Sequence, residues 1–482
     1  MPSDSGRGPA RGRAVVIGGS LTGMLAAAAL SSTTAQVTVV ERYALPAGPA
    51  PRQGLPQARH AHLLWSGGAR AVEQLLPGAT ERLLAAGARR IAVPTDLVTL
   101  TSGGWLTRFP ERQFFLACSR DLLDWVVRDL ATARPAVRVL PGSSVLRLRG
   151  TAAGITGVVI RGADGERVLD ADLVVDASGR ASATPRWLDA LGLPGVRTRI
   201  VDSGLGYATR VFRAPPGTED FPVVNIQADP RRPVPGRNGT LLPIEGGRWL
   251  VTLSGTRGGR PTADPDSFTA FARGLRHPVI GDLVAMAEPL GEVTLAHSTV
   301  NQRRLYERMP AWPEGLVVLG DALATYNPLY GHGMSVAAQH ALVLRRATGR
   351  QPVTSPGLAR RVQVAAARTT TAAWSMAAGQ DLRFPGAQGE PPGPGDAVMS
   401  RYVDRLMLTA TRRTAVGRAL FDVISLSAPQ SALMRPDVVA AALAPVRFTP
   451  LTDPPFTPQE RAALRAVWPP PVPDGPAPDA PA

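Results

Sequence analysis

Four short apolar runs, each closed by glycine or an acid, set the frame of this chain. Ala14-Val-Val-Ile17 runs into Gly18-Gly19, and Gln36-Val-Thr-Val-Val40 ends at Glu41. Ala171-Asp-Leu-Val-Val175 ends at Asp176 and Gly179, and Gly315-Leu-Val-Val-Leu-Gly320 ends at Asp321. Short apolar runs between turn residues predict buried strands. The Ala- and Leu-rich segment Leu21 to Leu30 predicts a helix after the first strand, and Ser335 to Leu344 predicts another after the last.

Between Arg180 and about Leu290 the pattern changes to Leu205–Phe212, Pro222–Gln227, Gly239–Ile244 and Arg248–Ser254, with Glu245-Gly-Gly247 as a hairpin signal. This predicts an antiparallel sheet inserted into an α/β domain. Asp264-Pro265 predicts a helix start, with Asp264 as cap and proline in the first turn. Beyond Arg350 the chain reads as helical. Val403, Leu406, Met407 and Ala410 fall at helical spacing within Val398 to Ala428, and the Pro/Gly-dense stretch from Pro385 to Gly395 predicts a linker.

The strand ends carry the chemistry. Gly18-Gly19-Ser20 and Gly23 form a turn entering a helix, and Glu41 follows Gly23 by 18 residues. A dinucleotide fingerprint has this order: pyrophosphate on the helix N-terminus and a carboxylate on the ribose. Ser20 stands where the middle glycine is usual, and it is small enough to admit the phosphates. In the later segment Asp321 can accept hydrogen bonds from a polyol. Pro328 and Gly331-His332-Gly333-Met334 place bare backbone N–H groups at a helix start.

Three such strand ends in one chain resemble the FAD-contacting motifs of the flavoprotein monooxygenase superfamily, and Ser119-Arg120-Asp-Leu-Leu123 resembles its Arg-x-x-Leu helix start. The resemblance covers most of residues 13 to 345. More closely, Arg52-Gln-Gly-Leu-Pro-Gln57-Ala-Arg59-His60-Ala-His62, Tyr207-Ala-Thr-Arg210-Val-Phe212, Pro243-Ile-Glu245-Gly-Gly-Arg248-Trp249 and Asn327-Pro328-Leu-Tyr-Gly331-His332-Gly333-Met334 resemble the epoxidases of bacterial polyether ionophore biosynthesis.

The resemblance implies an FAD-binding Rossmann-like domain over 13–74, 110–183 and 290–350, with a substrate-binding domain over 75–109 and 184–289. It leaves a flexible leader at 1–12, a C-terminal helical region at 351–468 and a disordered tail at 469–482. It also implies roles. Gly18, Gly19, Ser20 and Gly23 would cradle the pyrophosphate, with Glu41 on the adenosine ribose. Arg42 and Arg52 would lie near the adenosine and pyrophosphate, and Arg120 near the ribityl or phosphate groups. Asp321 would bind the ribityl chain, while Pro328, Gly331, His332, Gly333 and Met334 would face the isoalloxazine. Strand position offers Tyr207, Asn225 and Pro243 as pocket wall. No residue is assigned as a catalytic base.

At 482 residues the chain can hold two or three packed units. Its net charge of +15 is carried by arginine alone, since the sequence contains no lysine. Schiff-base, pyridoxal phosphate and Walker-lysine mechanisms are thereby excluded, as is the halogenase mechanism that the family resemblance would link to a lysine. The arginines are scattered rather than grouped with aromatics, which argues against nucleic acid and leaves attraction to an acidic partner, such as a carrier protein bearing the substrate. His60 and His62 lack the companions of a metal site. One cysteine, Cys118, allows no internal disulfide. Neither a signal peptide nor a bilayer-length apolar run is visible, so a cytoplasmic location is expected.

The reaction implied is oxygen transfer from O2, through a flavin C4a-hydroperoxide, to the alkenes of a hydrophobic linear polyene polyketide, free or carrier-bound and in one or several rounds. Electrons would come from NAD(P)H or a separate flavin reductase. An alkene needs placement and a dry pocket rather than an acid or base, and the insert shows no convincing acid–base pair. An aromatic or polyketide hydroxylase shares every cofactor argument. An alkene reductase of the geranylgeranyl type and a non-catalytic FAD-binding protein are the remaining alternatives.

Overall fold

The computed structural model describes residues 12–297, 300–391, 393–445 and 448–467. The four apolar runs assemble into one parallel sheet. Strand β1 (Arg13–Ile17) lies between β2 (Gln36–Val40) and the strand Leu173–Asp176; Leu316–Val318 and Val137–Leu140 form the two edges. Strands covered by helices on both faces need no polar alternation, which explains the continuous apolar reading. Helix α1 (Leu21–Leu30) is apolar all round and almost wholly buried, as expected of a helix with no solvent face. It packs against Arg120–Thr132 and Gly333–Thr348. A three-stranded antiparallel sheet, Ser144–Gly150, Ile155–Gly162 and Gly165–Asp170, flanks this half.

The inserted sheet has eight strands. Gly206–Arg213, Arg248–Gly255, Arg237–Ile244 and Val223–Ile226 are antiparallel neighbours, and Leu97–Thr101 joins parallel to Val223–Ile226. Its two faces follow the alternation of side chains along each strand. Leu241, Val251 and Leu253 pack on Phe268, Ile280 and Leu283 of two short helices, whereas Leu242 and Leu250 face Phe115, Leu406 and Phe421. Asp264 caps the helix Pro265–Arg273 by accepting the Ser267 N–H at 2.9 Å.

Several expected boundaries shift. Leu75, Leu76, Ala79, Leu83 and Ala88 are buried with α1, so residues 75–88 belong to the parallel-sheet half, and the crossing begins at Arg89. Thr294–Ala296 pairs with Gly206–Arg213 and so belongs to the insert. The helix Leu358–Asp381 enters the parallel-sheet core, whereas Pro394–Ala410 and Thr414–Ile424 close over the insert. The helical run expected across Val398 to Ala428 is interrupted at Thr411–Arg413. The expected leader, residue 12 aside, and the tail lie outside the described residues. Among the described residues no helix is long and apolar enough to cross a membrane.

Candidate active site

The glycine turn sits where β1 meets α1. Gly18 adopts φ +96°, and its N–H donates to the Val40 carbonyl at 2.9 Å, tying the turn to β2. A Cβ on Gly23 would lie 1.8 Å from the Gly18 carbonyl oxygen, so only glycine permits this approach of helix and turn. Ser20 is the N-cap residue in extended conformation, yet its side chain makes no capping hydrogen bond and the first turn carries no acid. The helix start therefore keeps unsatisfied N–H groups and its positive end.

Glu41 closes the other side. Its carboxylate accepts the Gly19 N–H at 2.7 Å and the Tyr43 N–H at 2.9 Å, and it pairs with Arg52 at 2.8 Å. The Arg52 guanidinium also donates to the Gly19 carbonyl at 2.8 Å. Three acceptor sites of the carboxylate are used, which leaves one for a ribose hydroxyl. Arg42 stands apart: it is exposed and lies over the Tyr43 ring, 5.9 Å from its centroid.

Asp321 lies in the single turn Gly320–Ala322 that follows the Leu316–Val318 strand, and its carboxylate has no hydrogen-bond partner among the described residues. Burial pushes its pKa up, with Arg120 and Arg180 pulling the other way. Arg120, at the start of the helix Arg120–Thr132 that Ser119 caps, spends its Nε on Asp124 at 2.8 Å. Its two terminal nitrogens make no hydrogen bond among the described residues. A Cβ on Gly333 would meet only the Asp321 carboxylate, at 3.9 Å, so the helix start opposite Asp321 is open. An unpartnered acid, an open glycine turn and an uncapped helix start fit a ligand with both hydroxyls and phosphates. These residues suit FAD.

The Asn327–Gly331 loop joins the two halves. Pro328–Tyr330 forms a single turn closed by Gly331 at φ +65°, where a Cβ would press within 3.1 Å of Leu63. Asn327 is fully buried; its amide donates to Asp381 at 2.9 Å, and its Oδ1 accepts the Leu329 N–H and the Tyr207 hydroxyl. The His332 Nε2 lies 2.9 Å from the Ile424 carbonyl, its ring stacks on Tyr330, and its Nδ1 is buried with no partner among the described residues. The Met334 side chain is buried in the parallel-sheet core, because the helix it helps to start directs it into packing, so Met334 can offer only backbone to this cleft.

A cavity of about 40 Å³ lies between this loop and the inserted sheet, lined among others by His60, Tyr207, Asn225, Asn238, Thr240 and Pro328. Tyr207 and Asn225 both line this cavity, and the Asn225 amide donates to Thr240 at 2.9 Å. Pro243 is not among the lining residues. It sits an odd number of positions from Thr240 on the same strand, and alternation turns it to the opposite face. Sequence reading missed Asp381, Thr209 and Thr252. None carries a motif, and only the fold brings them beside the cavity and its loop.

Residues 14–186 match the family described as FAD dependent oxidoreductase. Protein Rv3254 from Mycobacterium tuberculosis is 33% identical over 399 residues, covering 80% of this chain and 83% of that protein. Kynurenine 3-monooxygenase from Salinispora arenicola is 26% identical over 368 residues, covering 72% of this chain and 75% of its own length. Among solved structures, p-nitrophenol 4-monooxygenase PnpA from Pseudomonas putida superposes with a TM-score of 0.63 at 15% identity, covering 86% of this chain and 98% of that one. The chain has the fold of the flavin monooxygenases, its residues 14–186 match the FAD-dependent oxidoreductases, and it belongs to the same family as Protein Rv3254.

Proposed function

We propose that the protein is an FAD-dependent epoxidase acting on the alkenes of a linear polyene polyketide. Bound FAD supplies the redox chemistry that activates O2; the residues of the chain bind, orient and exclude water. The observation that carries this reading is the lining of the cavity beside Pro328 and Leu329, where no carboxylate or guanidinium is present among the described residues. Such a wall suits an uncharged substrate and a transfer that needs placement rather than a base. Asn225, Asn238, Thr240 and Ser254 would engage oxygen functions along a polyketide chain. At about 40 Å³ the cavity has room for only a few waters, so substrate entry requires the Pro328–Tyr330 turn or the His60 segment to yield.

Gly18 to Gly23, Glu41 and Arg52 would hold the adenosine and pyrophosphate, and Asp321 with Arg120 the ribityl chain. Aerobic turnover of the flavin-loaded protein, with NAD(P)H and a separate flavin reductase, tests the reading on a polyene ester and on a phenol. One added oxygen per oxidised double bond, released as diol on mild acid hydrolysis, is expected by mass spectrometry. Oxygen found only on the aromatic ring would remove the proposal.

Aromatic hydroxylation is the second reading. The hydrogen-bonding wall of Asn225, Asn238 and Thr240 could hold a ring substituent, and kynurenine 3-monooxygenases stand among the relatives.

A further inference from the structure

We propose that His60 presents an uncharged Nε2–H to the cavity and holds a neutral substrate oxygen there, a carbonyl, ether or hydroxyl. This rests on the reading of that cavity as the substrate site, and not on whether an alkene or an arene is oxidised.

His60 lines the cavity and is only 5% exposed. Its Nδ1 lies 2.8 Å from the Thr209 hydroxyl, while its Nε2 is buried with no partner. The Tyr207 ring lies beside the imidazole, 5.9 Å between centroids, but the Tyr207 hydroxyl is committed to Asn327. One edge of the ring is therefore fixed and the other is left for a ligand. A buried polar atom that the protein does not satisfy calls for an explanation.

The tautomer follows from counting hydrogens. The Ala61 N–H donates to the Thr252 hydroxyl oxygen at 3.0 Å, and Thr252 lies 2.7 Å from the Thr209 hydroxyl. No other hydrogen bond to these two hydroxyls is present among the described residues. If Thr252 donates to Thr209, and Thr209 to His60 Nδ1, both hydroxyl hydrogens are used and only Nε2–H is left over. If the chain runs the other way, the Thr252 hydrogen and the Nε2 lone pair are both unsatisfied. The first direction leaves one orphan instead of two. It makes His60 a neutral donor, and burial agrees, pushing the imidazole pKa down to about 4 with Arg59 adding to the effect. A neutral N–H selects for an acceptor oxygen without the desolvation cost of an ion pair.

Isothermal titration calorimetry of the flavin-loaded protein tests this without turnover. The probes are a medium-chain methyl ketone bearing a terminal alkene and the hydrocarbon alkene of the same length. The wild type should bind the ketone at least tenfold more tightly. His60→Leu should bring the two affinities together, His60→Gln should restore part of the gap through its amide N–H, and FAD absorbance should be unchanged in both. Thr209→Val, which frees the tautomer while keeping His60, should narrow the gap several-fold; this arm decides the matter if His60→Leu fails to fold. Equal affinities in the wild type, or an undiminished ketone preference in His60→Leu or Thr209→Val, would overturn the proposal. Products oxygenated on a ring alone would remove the epoxidase reading and leave the His60 assignment standing.

Discussion

Asp381 accepts the side-chain amide of Asn327 at 2.9 Å although the two residues lie 54 positions apart. The same carboxylate accepts the Asn301 amide at 2.7 Å. Asp381 ends the helix Leu358–Asp381, Asn301 starts a strand, and Asn327 starts the loop below the cavity. Through Asn327 the node also reaches Tyr207 on the inserted sheet. One buried carboxylate thus ties together the two halves and the C-terminal helix.

Removing that carboxylate should be costly. Asp381→Ala leaves the buried Asn327 amide without an acceptor and the Asn301 amide with only the long 3.5 Å contact to the Val201 carbonyl, at roughly 1–3 kcal/mol for each. Denaturant unfolding should show a loss of about 2–5 kcal/mol, with FAD retention reduced because the loop is no longer held. A loss below about 0.5 kcal/mol would mean that the node is solvated in solution.

The FAD assignment makes Asp321 and Arg52 separable from the fold. Asp321→Ala removes a carboxylate that no side chain among the described residues satisfies, so thermal stability of the apoprotein should hardly change while FAD affinity falls roughly tenfold or more. Arg52→Ala should weaken FAD binding and also destabilise the apoprotein, because it strips the partner from buried Glu41. Flavin fluorescence titration distinguishes the two patterns.

Acid should weaken the fold through its buried histidines. Burial lowers His60, His332 and His340 each from 6.5 to about 4, with Arg59 adding to the effect at His60. Between those values the unfolded chain binds more protons than the native one. Stability is complete above about pH 6.5 and falls as pH drops towards 4, by up to about 1.4 kcal/mol per pH unit for each histidine. Asp321 and Asp381 act in the opposite sense, since burial raises both. The contribution of one histidine is therefore read by difference: denaturation of His340→Gln at several pH values should show a shallower acid slope than the wild type. Parallel slopes would contradict it.

Gly23 should tolerate no side chain. Gly23→Ala sets a Cβ against the Gly18 carbonyl, and relief requires α1 to move off the turn. The variant is expected to lose FAD binding even where it folds, as measured by bound flavin per protein after gel filtration. Normal flavin content would show that the turn gives way freely.

The glycine turn, the acid-ended strands and the inserted sheet are legible in sequence because each writes its period or its punctuation into adjacent residues. Asp264-Pro265 is legible for the same reason, since the cap and the first turn are neighbours in the chain. Asp381 is not, because its partners Asn301 and Asn327 lie 80 and 54 residues away and no local pattern marks a helix end as a hydrogen-bond hub. Pro243 differs by one residue of strand parity, and the Met334 side chain lies in the core because a side chain next to an open backbone turn can point into packing. Residue type and spacing reveal backbone-built sites. They reveal little of sites that side chains build after the halves have docked.

The order of strands in the parallel sheet has a consequence for biosynthesis. β1 emerges first, but its inner neighbour is Leu173–Asp176, and the edge beyond that is supplied only by Leu316–Val318. At translation rates of about 5–20 residues per second, roughly 15–60 s separate the first strand from the last. During that interval a ribosome-bound nascent chain carries an unfinished apolar edge. Chaperone capture and the timing of cofactor supply, more than intrinsic folding speed, would then govern the yield of active protein in a host cell.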